Sequence, residues 1–162
     1  MSDFGNVIAY AISASQTMLD SFVQDLSPED YLHRPVAGAN CAAWIVGHLI
    51  LTDRLALGRL GQTNLPALPA GFEQHFARDE HAPSTAEYGD TSVLRPLWNQ
   101  HRVLLVEAAK KLSEAQFHQP LEQPRPLFKT LGEMLHFMAL HAIMHAGQLS
   151  TIRRSLGRPP LI

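Results

Sequence analysis

Apolar residues recur every three or four positions in four long stretches of the chain. This spacing places them on one face of an α-helix, because a helix turns once every 3.6 residues. It predicts helices over residues 3–26, 41–60, 92–112 and 131–156. Apolar and polar residues nowhere alternate over a longer run, so no strand is predicted. The pattern therefore predicts an all-α protein whose helices form a four-helix bundle.

Capping residues mark several ends of these predicted helices. Asn40 is a favourable N-cap for the second helix, and Gly61 is a typical residue just past its end. The fourth helix opens with Thr-Leu-Gly-Glu at residues 130–133, which fits a capping box. It should end near Gly157, because two prolines follow that glycine.

Two kinds of segment lie between the helices. Residues 26–31 and 112–117 both have the pattern of a serine-capped single turn that ends in an aromatic residue. This similarity predicts two related halves with pseudo-twofold symmetry. Residues 62–89 form the longest irregular segment, rich in proline, alanine and histidine. A loop of that length either covers a site or is a surface excursion.

Composition limits the class of protein. The chain has 162 residues, 46% apolar and 17% charged, which predicts a single globular domain over 1–162 and excludes general disorder. A net charge of −2 argues against nucleic-acid binding. The single cysteine excludes a disulfide within the chain. We find no signal peptide and no apolar run long enough to span a membrane, so a cytoplasmic protein without membrane contact is expected.

The fourth predicted helix carries His141 and His145, four residues apart and therefore on one face. That face lies within the apolar stripe of the helix, so both imidazoles should point at the core. The stripe consists of Leu131, Met134, Leu135, Met138, Ala142, Leu149 and Ile152. Two buried imidazoles are unfavourable unless a partner satisfies them, and a divalent metal is the commonest such partner.

A third ligand is expected from another helix, because catalytic zinc-type sites usually have three protein ligands and an open position. His48 is the candidate, since it lies in the middle of the inner face of the second helix. That face is defined by Trp44, Ile45, Leu51, Thr52 and Leu55. Three histidines on two facing helices predict a site for Zn²⁺, Ni²⁺ or Fe²⁺. The alternative for each histidine is a core residue that hydrogen-bonds to backbone or water.

His101 and Gln148 are weaker candidates for a catalytic role. His101 lies within the inner stripe of the third helix, where it would support the ligands, act as a base or, less favourably, bind the metal itself. Gln148 is nearly in line with the histidine pair and would orient water or substrate, or make an ordinary interior hydrogen bond. Four other histidines are expected at the surface: His33, His75, His81 and His118.

Other reactive residues have simpler explanations. Cys41 stands at a helix N-terminus without an evident base beside it, so a packing role is favoured over a nucleophile. Arg153 and Arg154 would meet an anionic substrate or, more simply, complement the helix dipole. Alanine at position 142 replaces the glutamate of H-E-x-x-H zinc proteases, which argues against that mechanism.

Two segments together resemble the DinB-like superfamily. Residues 40–49, Asn-Cys-Ala-Ala-Trp-Ile-Val-Gly-His-Leu, resemble its W-x-x-G-H-L segment, and residues 141–149 resemble its H-x-x-x-H-x-G-Q segment. The resemblance covers nearly the whole chain. It implies a four-helix bundle of the DinB/YfiT-like type, often a homodimer. It also implies a divalent metal held by three histidines, which map to His48, His141 and His145.

The resemblance also bounds the function. Some members of that superfamily are thiol-dependent enzymes that use bacillithiol, mycothiol or glutathione, and many have no known activity. A metal on three histidines suits a thiol S-transferase or a hydrolase of small molecules, because it promotes ionisation of a thiol or of water. The alternative is a non-catalytic metal- or ligand-binding dimeric bundle. A third interpretation is a structural bundle whose histidines are satisfied by each other and by water.

Overall fold

A computed structural model describes residues 3–77 and 88–161 of the chain, and these residues are mostly helical. In chain order the elements are α1 (Asp3–Val23), α2 (Pro28–Leu32), α3 (Ala42–Arg59), α4 (Phe72–Phe76), α5 (Leu94–Lys111), α6 (Glu114–Phe117), β1 (Pro120–Arg125), β2 (Phe128–Thr130) and α7 (Leu131–Ser155). A 3-10 turn at Thr91–Val93 leads into α5. The four long helices coincide with the four predicted ones, and the predicted all-α class is confirmed.

The long helices pack in a closed ring. α1 packs against α5 and α7, and α3 packs against the same two helices. The apolar stripe predicted for α7 is buried along its whole length. Burial of each large side chain in this stripe stabilises the fold by about 1.5–3 kcal/mol. The stripe is therefore what fixes the rotation of α7 about its own axis, and with it the direction of its two histidines.

The predicted inner face of α3 is wrong at Leu55, which is 69% exposed. The buried side of α3 instead runs through Leu49, Asp53, Ala56 and Leu57. An aspartate at a buried position interrupts the apolar pattern there, so the pattern pointed toward Leu55. Leu55 lies at the rim of a cavity that opens beside α3.

The two strands were not predicted, and they form an antiparallel hairpin between α6 and α7. Pro120 pairs with Thr130 and Arg125 pairs with Phe128, with an irregularity between those pairs. β1 has no alternation of apolar and polar residues because almost all of it is exposed. Its pairing depends on backbone hydrogen bonds, which leave no periodic signal in the side chains. β2 packs against α7 and so holds the hairpin beside that helix.

Most of the predicted helix ends are confirmed. The Thr130 hydroxyl accepts from the backbone N–H of Glu133, and the Glu133 carboxylate accepts from the N–H of Thr130, as a capping box requires. Gly61 and Gly157 both have φ of +75°, the left-handed conformation that ends a helix. The prediction for Asn40 is wrong: the N-cap of α3 is Cys41, whose side chain makes no capping hydrogen bond.

Both predicted serine-capped turns exist. Ser27 opens α2 and Ser113 opens α6, each with a complete capping box. Tyr31 of the first turn is buried and Phe117 of the second is half-buried. The symmetry between the two halves stays a prediction.

Part of the long segment at 62–89 is ordered against α3. α4 lies within it, and the ring of Phe76 packs directly on Gly47, where a Cβ would come within 2.2 Å of the ring. Residues 78–87, including His81, lie outside the described residues. In the described part of the chain, no helix combines the length and apolar character needed to cross a membrane.

Candidate metal centre

His48 of α3 meets His141 and His145 of α7 in one group. One ring nitrogen of each residue lies within 4.8 Å of the corresponding nitrogens of the other two. The ring centroids of His141 and His145 are 4.6 Å apart, and His48 lies 5.3 and 5.5 Å from them. The structure thus brings together the three histidines expected from the sequence, because α3 and α7 pack against each other.

The histidine pair on α7 is tightly fixed. The Nε2 atoms of His141 and His145 are 3.1 Å apart, and the two side chains are only 9% and 7% exposed. Phe137, one turn before His141, stacks on its ring at 5.5 Å. His48 is half-buried and lies parallel to the indole of Trp44 at 4.7 Å. Aromatic packing therefore sets the ring planes of two of the three imidazoles.

Burial keeps the pair on α7 uncharged. Desolvation lowers the pKa of His141 to about 3, with further contributions from the charges of His145, His48 and Arg102. Burial also lowers the pKa of His145, although its hydrogen bond to Gln148 opposes the shift. Neutral imidazoles retain the nitrogen lone pair that a metal requires.

Gln148 determines which nitrogen of His145 carries the proton. Its Oε1 atom lies 2.8 Å from Nδ1 of His145 and accepts a hydrogen bond from the N–H there. The remaining nitrogen, Nε2, then has its lone pair directed at the histidine group. Of the two roles considered for Gln148, the hydrogen bond is the one the structure contains, and it fixes the orientation of the His145 ring.

The donor set fits a divalent metal of the zinc type. Two imidazole nitrogens at zinc-like distances of about 2.0–2.1 Å, at a tetrahedral angle, would be about 3.3 Å apart. The observed separation of 3.1 Å is close to that value, and without a metal it is a hydrogen bond from the Nε2–H of His141 to Nε2 of His145. The buried Nδ1 of His141 has no hydrogen-bond partner among the described residues, so no acceptor fixes its tautomer as Gln148 does for His145. Three neutral nitrogen donors suit Zn²⁺, Ni²⁺ or Fe²⁺ better than the oxygen-seeking Mg²⁺ or Ca²⁺.

His101 is not part of this group. It is completely buried in α5, where its Nδ1–H donates to the carbonyl of Leu97 at 2.8 Å. Burial lowers its pKa, and its Nε2 has no partner among the described residues. The group of three neighbouring ring nitrogens consists of those of His48, His141 and His145. Direct metal ligation by His101 therefore has no geometric support, and the residue belongs to the core of α5.

Arg153, Arg154 and Cys41, the other reactive residues considered, lie outside the histidine group. The guanidinium of Arg153 donates to the Asp25 carboxylate and to the carbonyl of Phe22, so it joins α7 to the end of α1. Arg154 is exposed. Cys41 is fully buried at the start of α3.

The structure contains a buried ion pair that the apolar pattern does not predict. Arg102 and Asp53 are 0% and 1% exposed and join α5 to α3 at 3.2 Å. Arg102 also donates to the Ser15 hydroxyl at 2.7 Å and to the carbonyl of Met138 at 3.3 Å. Burial raises the pKa of Asp53 to about 6, against the opposing effect of Arg102. The signal in the sequence was Asp53, a charged residue at a position where the spacing of α3 calls for an apolar one.

A cavity of about 160 Å³ adjoins the histidine group. His141 forms part of its wall, and β2 with the end of β1 forms another part. Its lining consists of Thr52, Leu55, Ala56, Arg59, Arg125, Phe128, Met134, Phe137, Met138 and His141. Leu55 and both arginines are exposed, so the cavity opens to solvent.

The helices, the three neighbouring imidazoles and the open cavity beside them place this chain among helical proteins with a candidate metal site. The model of the DinB superfamily matches residues 11–149, and the chain belongs to that superfamily. No curated protein matches the chain.

The fold is similar to that of a solved structure, "Crystal structure of the conserved protein of locus from Enterococcus faecalis". The two chains are 14% identical, with a TM-score of 0.75, over 98% of this chain and 100% of the other. At that identity the likeness shows the fold alone.

Proposed function

We propose that His48, His141 and His145 bind one divalent metal. The protein is then a metal-dependent enzyme that acts on small molecules. The fold assigned in this proposal is the four-helix bundle of the DinB/YfiT-like type, with the metal between α3 and α7. The observation that carries the proposal is the pair of uncharged Nε2 atoms 3.1 Å apart, with His48 beside them. Membership of the DinB superfamily supports it.

The reaction proposed is a thiol-dependent S-transfer, with hydrolysis as the second option. When bound, Zn²⁺, Ni²⁺ or Fe²⁺ would act as a Lewis acid that favours the ionised form of a thiol or of water. No carboxylate lines the adjoining cavity among the described residues. Hydrolysis usually requires a general base at the site, whereas a thiolate is already a nucleophile. This difference favours a low-molecular-weight thiol as the second substrate.

The chain's own residues would keep the site ordered. Gln148 holds His145 in the tautomer that offers Nε2, and Phe137 and Trp44 restrain the rings of His141 and His48. The apolar cavity walls would limit the access of water to the reacting groups.

Metal content is the decisive test. We expect about one equivalent of Zn, Ni or Fe in untagged protein by mass spectrometry, and its loss in His48→Ala and His145→Ala. His136→Ala is the matched control, because His136 is exposed on the same helix and outside the histidine group. Wild-type protein that holds no metal, even after reconstitution, would contradict the proposal.

Activity then separates an enzyme from a binding protein. The metal-loaded protein is screened for thiol transfer to electrophilic small molecules and for ester and amide hydrolysis. Turnover that disappears in His145→Ala supports the enzyme. Full metal occupancy without turnover in either screen would favour the non-catalytic metal- or ligand-binding bundle.

We also propose that two copies of the chain pair through α7. Leu140, Ile143 and Met144 are exposed apolar residues at helical spacing, and the space around Gly147 is open. A helix face of this kind suits close packing against a second helix. We expect a dimer by light scattering that Ile143→Lys dissociates. Leu127→Lys, at an exposed apolar position of the hairpin, should leave it intact, and a monomeric wild type would contradict pairing.

A further inference from the structure

The cavity beside His141 has an aromatic side. The ring of Phe128, from the hairpin, lies 5.2 Å from the ring of Phe137, and Phe137 stacks on His141 at 5.5 Å with an interplanar angle of 15°. These three rings lead from the hairpin to a candidate metal ligand. Offset contacts with such rings favour a flat, unsaturated group over a branched aliphatic one.

The volume of the cavity limits the group it accepts. Its 160 Å³ is close to the roughly 150 Å³ of an engineered apolar protein cavity that binds benzene. Thr52, Ala56 and Met138 complete a lining that is largely apolar. A single six-membered ring therefore matches the space inside the cavity, and any further part of a ligand would lie at its open side.

Two arginines give the open side of the cavity a positive charge. Arg59 comes from the end of α3 and Arg125 from the end of β1, and both are exposed. Neither guanidinium forms an ion pair among the described residues. Within the described part of the chain, Arg59 has a weak polar contact from Nη1 to the sulfur of Met134 at 3.9 Å. Glu122 and Arg59 both line a neighbouring depression, and no salt bridge joins them among the described residues.

We propose that the cavity selects a substrate with one unsaturated or aromatic ring and an anionic group, with Arg59 and Arg125 binding the anion. This inference deepens the proposed function, because the ring would lie against His141 at the metal site. Guanidinium groups bind carboxylates through paired hydrogen bonds, which gives them both affinity and orientation. Arg125 and Phe128 are then specificity-determining residues supplied by the hairpin.

The probe for this inference is 4-fluorobenzoate, with binding measured by fluorine NMR on the protein as purified. We expect the Kd to rise about fivefold or more in Arg59→Gln and in Arg125→Gln, the loss typical of one charge-assisted contact. Arg154→Gln is the matched control, because it removes the same charge at an exposed position outside the cavity. Its Kd should stay within about twofold of wild type.

Two further comparisons isolate the ring and the charge. The neutral isostere 4-fluorobenzamide should bind more weakly than 4-fluorobenzoate and should not respond to either arginine substitution. Phe128→Ala should weaken binding of both probes, whereas Leu127→Ala, at the exposed tip of the same hairpin, should not. Three results would each overturn the inference. The acid and the amide bind equally well, the Kd of 4-fluorobenzoate is unchanged in both arginine variants, or 4-fluorobenzoate does not bind at concentrations on the order of 10 mM.

The same experiment in His145→Ala distinguishes this inference from the proposed metal site. Binding that keeps its dependence on Arg59 and Arg125 in that variant supports the cavity independently of the metal. Metal-free wild-type protein that still binds 4-fluorobenzoate through the arginines would sink the proposed function alone. Metal-loaded protein whose affinity ignores the arginines would sink this inference alone.

Discussion

Gly47 stands directly before His48 in α3, and a methyl group at this position would collide with the ring of Phe76. A Cβ built on Gly47 would lie 2.2 Å from Cδ1 of Phe76 and 2.3 Å from its Cγ. Cβ atoms in real proteins essentially never come within 3.0 Å of such a neighbour, so Gly47→Ala must displace either the ring or the helix.

The size of the effect follows from two opposing contributions. In an open helix interior, alanine in place of glycine raises the free energy of unfolding by about 0.5–1 kcal/mol. Phe76 has little freedom to move, because it is buried and its ring packs against Phe72 at 4.4 Å and Tyr88 at 5.3 Å. Overpacking such a site costs about 1–3 kcal/mol. We therefore expect Gly47→Ala to lower the free energy of unfolding by about 1–2 kcal/mol net.

Urea unfolding followed by circular dichroism measures this difference. Gly58→Ala is the matched control, since Gly58 also lies in α3 but has open space where the Cβ would go. It should raise stability by about 0.5–1 kcal/mol. In a Phe76→Ala background the collision is absent, so adding Gly47→Ala should there raise stability instead of lowering it.

The opposite signs of the two glycine substitutions are what the reasoning requires. If Gly47→Ala is as stable as Gly58→Ala, the packing of α4 on α3 is not as described and the reasoning is refuted. If Gly47→Ala remains destabilising in the Phe76→Ala background, the cause is the backbone of α3 and not the ring.

Three further predictions rest on other contacts. Arg102→Met should lower the free energy of unfolding by about 3–5 kcal/mol because it leaves the Asp53 carboxylate buried without its partner. In urea unfolding, the Asp53→Leu/Arg102→Met double variant should be more stable than Arg102→Met. Additive losses of stability would contradict the pairing. The hydrogen bond and charge of Arg95 lower the pKa of Asp20, so this pair stabilises the protein above the unfolded-state pKa of 3.8 and is lost as pH falls through the lower folded-state value. Asp20→Asn should cost about 1 kcal/mol at pH 7, with a smaller difference from wild type below pH 3.8 in acid-unfolding curves; a constant difference would refute this. Gln148→Ala should weaken metal binding about tenfold in a competition titration with a chelating dye while the fold is retained, and unchanged affinity would exclude the orienting role.

Local periodicity explains how much of the site could be predicted. His141 and His145 fall on one face of any helix, so their meeting follows from spacing alone. His48 lies beside them although the predicted face of its helix is wrong at Leu55, because Trp44 and Ile45, one turn before it, are buried as predicted. The separation between α3 and α7, which sets the distance from His48 to the pair, depends on packing throughout the ring of helices and has no local signal.

The failures have the same physical origin. Asp53 and Arg102 stabilise each other across two helices, so each looks like an interruption of an apolar pattern until the two are brought together. Leu55 was assigned to the core because apolar spacing does not distinguish a packed interior from the rim of a cavity. The hairpin escaped prediction because exposed strands are held by main-chain hydrogen bonds.

The hairpin carries Arg125 and Phe128, while the three histidines lie on α3 and α7. The groups proposed to hold the metal and two of those proposed to choose the substrate are therefore encoded in separate stretches of the chain. Residues 122–127 are exposed and contain none of the three histidines, whereas Thr130 caps α7 and Phe128 packs on Phe137 of that helix. Changes in the exposed part of the hairpin therefore leave the three histidines in place. Such a division would allow one metal site to serve different substrates, with new selectivity arising from substitutions in the exposed part of the hairpin.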